Sequence, residues 1–232
     1  MLDALRRDVC EANLALVRAG LVIGAFGNAS GIDRASGRVV IKPSGVGYDQ
    51  LTPGNLVVTD LDGTVVEGAL RPSSDLPTHL VLYKAFPSIG AVVHTHSRFA
   101  TAWAQAGLEI PCLGTTHADY FPGAIPVTRR MRPEEIRDTY ERHTGQVIVQ
   151  RFARLDPAAF TAVLVHGHGP FCWGASARDA AHTGVIVEEL AELAYYTVTI
   201  DPDAVPISKA LRDKHFNRKH GPKAYYGQPK NK

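Results

Sequence analysis

Two short apolar segments of this chain each run into a pair of histidines separated by one residue. They are Ala91-Val92-Val93-His94-Thr95-His96 and Ala162-Val163-Leu164-Val165-His166-Gly167-His168. Apolar runs of this length predict buried strands. Side chains two apart on a strand share a face, about 6.5–7 Å from each other, so His94 and His96 can converge on one metal ion. With a further histidine and the carboxylate of Asp75, the chain holds the donors of a catalytic metal site.

Each of these residues also has an ordinary structural role open to it. A hydrogen-bonded core histidine explains either His-x-His pair when taken alone. Asp75 can cap a helix that starts near Pro77, or can pair with His79, one helical turn later. Spacing alone does not decide between these roles and metal ligation.

The composition predicts one globular domain. Of 232 residues, 45% are hydrophobic and 21% charged, which does not fit a disordered chain, and the net charge of +2 gives little support for a nucleic-acid partner. Three cysteines without CxxC spacing (Cys10, Cys112 and Cys172) and charged residues near the start, where a signal peptide would be apolar, favour a reducing cytoplasm. No apolar stretch approaches the ~18 residues of a membrane span, so no membrane partner is expected.

Helical and strand patterns alternate along the chain, and several strands are neighbours in sequence. We expect an α/β domain with a mixed central β-sheet flanked by helices on both faces. Predicted helices cover about 2–20, 77–86, 100–106, 133–144 and 177–196, and predicted strands cover 39–41, 56–59, 64–67, 91–95, 147–149 and 162–165.

Three turn-like segments carry groups that suit a phosphate. They are the glycine-rich stretch 24–31 with Gly27-Asn28, the segment Lys42-Pro43-Ser44-Gly45 and the segment Pro72-Ser73-Ser74-Asp75. Hydroxyls and backbone N–H groups in turns and at helix N-termini bind anions, although ordinary turn chemistry explains each segment alone.

Two further regions hold candidate functional groups. In the predicted loop 115–120, Asp119 is an acid/base candidate or a turn-forming residue, whereas Glu141 lies on a charged helix face and is expected to be solvated. The basic run 209–220 is typical of a solvated face or tail, and Tyr225-Tyr226 after it suggests docking on the body or on a neighbouring subunit.

Taken together, these motifs resemble the class II (metal-dependent) sugar-phosphate aldolase and epimerase superfamily, and within it the L-ribulose-5-phosphate 4-epimerases. The resemblance covers essentially the whole chain. It rests on Pro72-Ser-Ser-Asp75, His94-Thr-His96, Gly114 to Phe121, His166-Gly-His-Gly-Pro-Phe171 and Lys223-Ala-Tyr-Tyr-Gly-Gln228.

The resemblance implies roles for individual residues. Asp75, His94, His96 and His168 would bind one Zn²⁺ per subunit, with Mn²⁺ or Co²⁺ as alternatives, and His166 would be structural. Asp119 and Tyr226 would be the acid/base pair, with Tyr226 supplied by the adjacent subunit and His215 reaching the neighbour's site as part of the catalytic group. The positions implied for binding substrate, chiefly its phosphate, are Gly27, Asn28, Lys42, Ser44, Gly45, Ser73, Ser74, Thr116, Glu141 and Arg218.

The resemblance also implies an activity and an assembly. The activity would be the interconversion of L-ribulose 5-phosphate and D-xylulose 5-phosphate by retro-aldol cleavage of C3–C4, in arabinose catabolism or a parallel ascorbate or xylulose route. The alternative is a class II ketose-1-phosphate aldolase, such as one acting on L-fuculose 1-phosphate. A structural-zinc adaptor is disfavoured because no cysteines accompany the histidines. The chain would form a homotetramer with sites at subunit interfaces, and residues 208–232 of the single domain 1–232 would dock there.

Overall fold

The fold is built on one seven-stranded sheet. The computed structural model describes residues 2–227, so the last part of the predicted docking segment, residues 228–232, lies outside the described residues. The strand order is β4-β3-β2-β1-β5-β7-β6. The strands are β1 (Asn28–Asp33), β2 (Arg38–Ile41), β3 (Val57–Thr59), β4 (Val65–Glu67), β5 (Ala91–His94), β6 (Ala162–Val165) and β7 (Gly169–Gly174).

All six pairings between these strands are antiparallel. Within the described residues the mixed character predicted for the sheet is limited to one isolated parallel bridge, from Val127 to Leu164. For the pairs β1–β2 and β6–β7 the reason is the connection, because a short turn can link only antiparallel neighbours.

Helices cover both faces, as expected, because strand residues alternate between two cores. Val92 packs in the core beneath the helices α2 (Leu76–Ala85) and α6 (Tyr140–Arg151), whereas Ala91 and Val93 pack in the core beneath α1 (Leu2–Arg18) and α7 (Ala177–Ile200). The remaining helices are α3 (Arg98–Ala106), α4 (Thr115–Ala118), α5 (Pro133–Arg137) and α8 (Lys209–His220). No helix in residues 2–227 combines the length and apolarity that crossing a bilayer requires.

Two local predictions are wrong. Residues 147–149 form part of α6 and not a strand, because Thr144, Val147, Ile148 and Phe152 bury one helical face, and this packing overrides the β-branched run. The helix predicted over 133–144 breaks into α5 and α6, since Thr139 adopts a left-handed conformation (φ 44°).

Four of these elements were not predicted from the sequence, and the first is the short helix α4, which takes the place of most of the loop predicted over 115–120. β1 is rich in polar residues and β7 contains two glycines and a proline, and the strand form of both comes from pairing with β5, which lies between them. The basic run 209–220 is the helix α8, whose N-cap is Ser208; the Ser208 hydroxyl accepts a hydrogen bond from the Leu211 N–H at 3.3 Å.

Candidate active site

Three histidines meet at the end of the central strand β5. The ligand atoms of His94, His96 and His168 all lie within 4.8 Å of one another. His94 Nε2 and His96 Nε2 are 3.0 Å apart, close to the separation of about 3.3 Å between two nitrogens bound to one tetrahedral zinc ion. The three rings therefore form a donor set that fits a metal ion.

The sheet fixes two of these rings. His94 pairs in register with Phe171 of β7, whose ring stacks on the imidazole with centroids 4.2 Å apart. His168 lies in the tight β6–β7 turn next to Gly167, which has a φ of 72° that glycine adopts without strain. A Cβ at Gly169 would lie 2.8 Å from the Thr95 carbonyl oxygen, so the two backbones approach this closely only with glycine there.

Burial keeps the imidazoles in the form that binds metals. Burial, together with the neighbouring histidines, lowers the pKa of His94 and of His168 to about 3. The Nδ1 of His94 lies 2.9 Å from the Pro170 carbonyl oxygen, and since a carbonyl only accepts, Nδ1 carries the proton. Nε2 of His94 is then left with its lone pair facing the cluster.

Asp75 lies beside the three histidines at the start of α2. Its Oδ2 accepts a hydrogen bond from Asn28 Nδ2 at 2.7 Å, and its side chain makes no helix-capping hydrogen bond. The side chain of His79 is hydrogen-bonded through Nδ1 to the Ser30 hydroxyl at 2.7 Å. Neither the capping role nor a hydrogen-bonded pair with His79 is observed. Asp75 lines the same cavity as the histidines but is outside the set of donors within 4.8 Å of one another.

A cavity of about 420 Å³ opens over the candidate metal ligands. It is surrounded by the three turn-like segments predicted to suit a phosphate, here called the phosphate-type segments: 24–31, 42–45 and 72–75. The segments are tied together, since the Ser73 N–H donates to the Lys42 carbonyl and the Ser44 N–H to the Arg71 carbonyl, both at 2.9 Å. Of the predicted substrate-binding residues, the cavity wall contains Gly27, Asn28, Lys42, Ser44, Gly45, Ser73, Ser74 and Glu141.

Lys42 is a buried cation at the floor of these segments. Its Nζ donates to the Val46 carbonyl at 2.7 Å and lies 4.8 Å from the centre of the Tyr48 ring. Burial lowers the pKa of the Lys42 ammonium. The Lys42 ammonium therefore holds the 43–46 loop in place through its hydrogen bond to the Val46 carbonyl. It also contributes positive potential to the cavity.

Four of the remaining predicted residues lie together with Lys219 in a second group, here called the C-terminal cluster: Asp119, His215, Arg218, Lys219 and Tyr226. The Asp119 carboxylate accepts hydrogen bonds from Arg218 at 2.6 and 3.0 Å, pairs with His215 Nδ1 at 3.0 Å and lies 3.5 Å from Lys219 Nζ. The Tyr226 ring covers Arg218 and Lys219, at 4.9 and 4.4 Å.

None of these five residues is in the wall of the metal cavity. Although burial opposes it, hydrogen bonds from Arg218 and His215 hold the pKa of Asp119 below its usual range. Thr116 is also apart from that cavity, since it borders a cleft between α4 and α7. The structure thus separates the predicted site into two parts within one chain.

Two predicted placements need comment, and two aromatic residues of the cavity were missed. His166 is turned away from the other histidines and accepts a hydrogen bond from Arg130 Nε at 3.2 Å. Glu141, expected on a solvated face, lines the metal cavity. The missed residues are Phe26, whose ring stacks on His96 with centroids 5.9 Å apart, and Tyr140, which lines the cavity and contacts His168. The only signal for Tyr140 in the sequence was its position next to Glu141.

Comparison with known proteins agrees with this architecture. The chain is 53% identical, over 98% of its length and 100% of the relative's, to the L-ribulose-5-phosphate 4-epimerase UlaF of Salmonella paratyphi C. Its structure is similar to an L-fuculose 1-phosphate aldolase (TM-score 0.78, 22% identity, 93% and 95% of the two chains) and to YgbL from Klebsiella pneumoniae (TM-score 0.73, 26% identity, 92% and 98%). The family model described as Class II Aldolase and Adducin N-terminal domain matches residues 7–195, and the chain belongs to this family.

Proposed function

We propose that this chain is a zinc-dependent epimerase that interconverts L-ribulose 5-phosphate and D-xylulose 5-phosphate. The observation that carries the proposal is the pairing, in one cavity, of three histidines and Asp75 with three phosphate-type segments. The 53% identity to relatives named L-ribulose-5-phosphate 4-epimerase supports the choice of substrate within the family.

The reaction requires cleavage of a carbon–carbon bond. The C4 hydrogen of a 2-ketose is not adjacent to the carbonyl, so removing it gives no stabilised carbanion. Deprotonation of the C4 hydroxyl instead breaks C3–C4, forms an aldehyde and leaves the electron pair as an enediolate. Addition to the other face of the aldehyde, with the proton returned, gives the epimer. A bound divalent cation supplies Lewis-acid stabilisation of negative charge on the ketose oxygens.

The phosphate-type segments would keep the cleaved aldehyde in place. The phosphate would contact the hydroxyls of Ser44, Ser73 and Ser74 and the N–H groups near Gly45, with Lys42 as the nearby buried cation. Anchored in this way, the aldehyde turns about its phosphate without leaving the cavity.

We assign proton transfer to Asp119 and Tyr226 of a neighbouring subunit. Two features support this: the C-terminal cluster lies outside the wall of its own chain's metal cavity, and Tyr225 and Tyr226 are 64% and 60% exposed. Asp119, His215, Arg218 and Tyr226 would then face the neighbour's metal cavity together, Thr116 would border the same interface, and residues 208–232 would dock there in a homotetramer.

The test of the activity is a coupled assay of L-ribulose 5-phosphate to D-xylulose 5-phosphate, before and after chelation and zinc restoration. Conversion that is lost on chelation and returns with zinc supports the proposal. No conversion by zinc-loaded protein, with cleavage of ketose 1-phosphates instead, would assign the chain as an aldolase.

A mixing experiment tests the shared site separately. His96→Asn and Tyr226→Phe chains, each inactive alone, are dissociated together and reassembled. If each site combines one chain's metal cavity with another's C-terminal cluster, random mixing restores about a quarter of the sites. Recovery of activity supports the interface assignment, and its absence in reassembled oligomers contradicts it.

A further inference from the structure

Tyr140 lines the metal cavity, and neither the sequence analysis nor the proposed function gives it a role. Its hydroxyl oxygen lies 3.3 Å from Nδ1 of His168, the nitrogen on the far side of the ring from Nε2. The corresponding nitrogen of His94 is held by the Pro170 carbonyl oxygen at 2.9 Å. Two of the three histidines thus have an oxygen partner at Nδ1, one from the backbone and one from a side chain.

The partner at Nδ1 decides whether His168 can bind a metal at Nε2. A neutral imidazole carries one proton, and only the nitrogen without it can bind a metal. If Nδ1–H donates to the Tyr140 oxygen, Nε2 has its lone pair free. The opposite tautomer would place a proton on Nε2 and remove the lone pair needed to bind an ion there.

The backbone holds Tyr140 in this position at an energetic cost. The preceding residue, Thr139, adopts φ 44° and ψ 46° and is the one non-glycine residue of the described chain with positive φ. A β-branched residue is strained in this conformation, and such strain persists where the surrounding structure fixes it.

Packing against α2 supplies that fixed surrounding. The Thr78 hydroxyl donates to the Glu141 carbonyl at 2.5 Å, and the Thr144 hydroxyl donates to the Tyr140 carbonyl at 3.0 Å. A Cβ at Gly145 would lie 2.6 Å from Val81 Cβ and 3.1 Å from the Thr78 carbonyl oxygen, so α6 approaches α2 closely only because glycine is there. Since Asp75 directly precedes α2 as its N-cap residue, the same helix pair places Asp75 and Tyr140 on the cavity wall.

We propose that Tyr140 is a positioning residue for the metal site: its hydroxyl oxygen accepts a hydrogen bond from the Nδ1–H group of His168 and so fixes the ring and tautomer in which Nε2 binds the ion. This inference rests on the metal site of the proposed function. It assigns to a side chain on α6 the task that the Pro170 carbonyl performs for His94.

The test compares Tyr140→Phe, which removes only the hydroxyl, with Tyr195→Phe, which removes the hydroxyl of a half-exposed tyrosine on α7. Co²⁺ is titrated into metal-free protein, and its visible spectrum reports affinity and ligand geometry. We expect Tyr140→Phe to raise the Co²⁺ Kd about 10–100-fold and to change the spectrum, as losing a partner of a metal-bound histidine does. The Kd of Tyr195→Phe should stay within about twofold of the parent.

Nitrogen-15 NMR of the metal-free protein reads the tautomer directly. We expect His168 to carry its proton on Nδ1 in the parent chain and to shift toward the Nε2–H form in Tyr140→Phe. An Nε2–H form in the parent overturns the proposal even if Tyr140→Phe fails to fold, and so does an unchanged Kd in a folded Tyr140→Phe. A parent chain that binds no Co²⁺ would instead contradict the proposed metal site.

Thr139→Gly distinguishes the effect of the Tyr140 hydroxyl on metal binding from the effect of the strained backbone at residue 139. Glycine adopts positive φ freely, so Tyr140 keeps its place, and the Co²⁺ Kd should remain within about twofold of the parent. A loss of affinity as large as that of Tyr140→Phe would place the effect in the 139–141 backbone and overturn the role of the hydroxyl.

Discussion

The metal cavity and the C-terminal cluster differ in their electrostatics: the cavity holds neutral imidazoles, whereas the cluster holds paired charges. In the cavity, burial holds His94 and His168 neutral, and the Nε2 atoms of His94 and His96 lie only 3.0 Å apart. In the C-terminal cluster, by contrast, Asp119 is surrounded by the cationic groups of Arg218 and Lys219 and by His215. The cavity therefore holds neutral imidazoles that can donate lone pairs to a cation, whereas the carboxylate charge of Asp119 is already compensated by its neighbours.

The two regions also differ in how the chain builds them. His94 and His168 are set by sheet register and a tight turn, and the loops beside them are joined by backbone hydrogen bonds. In the cluster, side chains of α8 hold the end of α4: His215 and Arg218 contact the Asp119 carboxylate, and His220 Nε2 donates to the Asp119 carbonyl. Two exposed tyrosines follow α8. A rigid frame suits holding an ion and a phosphate, and a surface cluster suits presenting acid/base groups to another subunit.

Tyr226→Phe should have the largest effect, because it removes a group that we propose transfers a proton. It tests whether the C-terminal cluster supplies the acid/base groups while the cavity supplies the metal. Phenylalanine keeps the ring over Arg218 and Lys219 but removes the proton, so we expect epimerase turnover to fall about 10²–10⁴-fold with the fold and zinc content unchanged. The measurement is the coupled assay together with elemental analysis. Tyr225→Phe is the matched control and should stay active. Full turnover by zinc-loaded Tyr226→Phe would remove Tyr226 from catalysis.

His96→Asn tests the other side of the comparison. Losing a direct ligand should weaken zinc binding by more than the about 10–100-fold that loss of an outer partner costs, and activity should fall with it. Zinc content after dialysis against a competing chelator measures the change. His166→Asn removes a histidine that contacts Arg130 instead of the cluster, and should retain zinc. Equal zinc content in both variants would contradict the ligand assignment.

The sequence predicted the cavity far better than its surroundings. His94, His96 and the Pro72–Asp75 segment follow from short-range pattern, because strand alternation and turns act over a few residues. β1, β7 and the contact between Tyr140 and His168 depend on pairing across the fold. The β-branched run 147–149 was wrongly predicted as a strand for the same reason, since burial against α2 decides that it is helical. The position of the C-terminal cluster apart from the cavity is not a property that local spacing encodes.

Gly145→Ala tests whether close helix packing supports the cavity. The added methyl group would lie 2.6 Å from Val81 Cβ, so we expect a loss of about 1–3 kcal/mol in the free energy of unfolding. Because α6 carries Tyr140 and Glu141, zinc affinity should fall as well. The matched control is Gly114→Ala, at a site with φ −149° and open space around the added Cβ. Urea unfolding that shows equal stability for both variants would contradict the packing argument.

The smallest expected effect is the change of stability on acidification, which should come from the buried histidines and not from the C-terminal cluster. Burial lowers the pKa of His79 to about 3 and that of His117 to about 4, whereas each has a pKa of about 6.5 in the unfolded chain. The unfolded chain therefore binds more protons below pH 6.5, so stability is full above that pH and is lost as the pH falls toward 4.

Each of these histidines contributes at most about 1.4 kcal/mol per pH unit to that loss. The pKa of Asp119 is lowered, so its pairs weaken only below about pH 4, outside this window. Urea unfolding of metal-free protein at pH 7.5 and 5.5 measures the slope. His117→Gln keeps a donor for the Gly123 carbonyl and should flatten the slope, because one titrating group is gone. An unchanged slope would show that His117 takes up no proton on unfolding in this range, and an Asp119→Asn variant that flattened it would place the acid sensitivity in the C-terminal cluster.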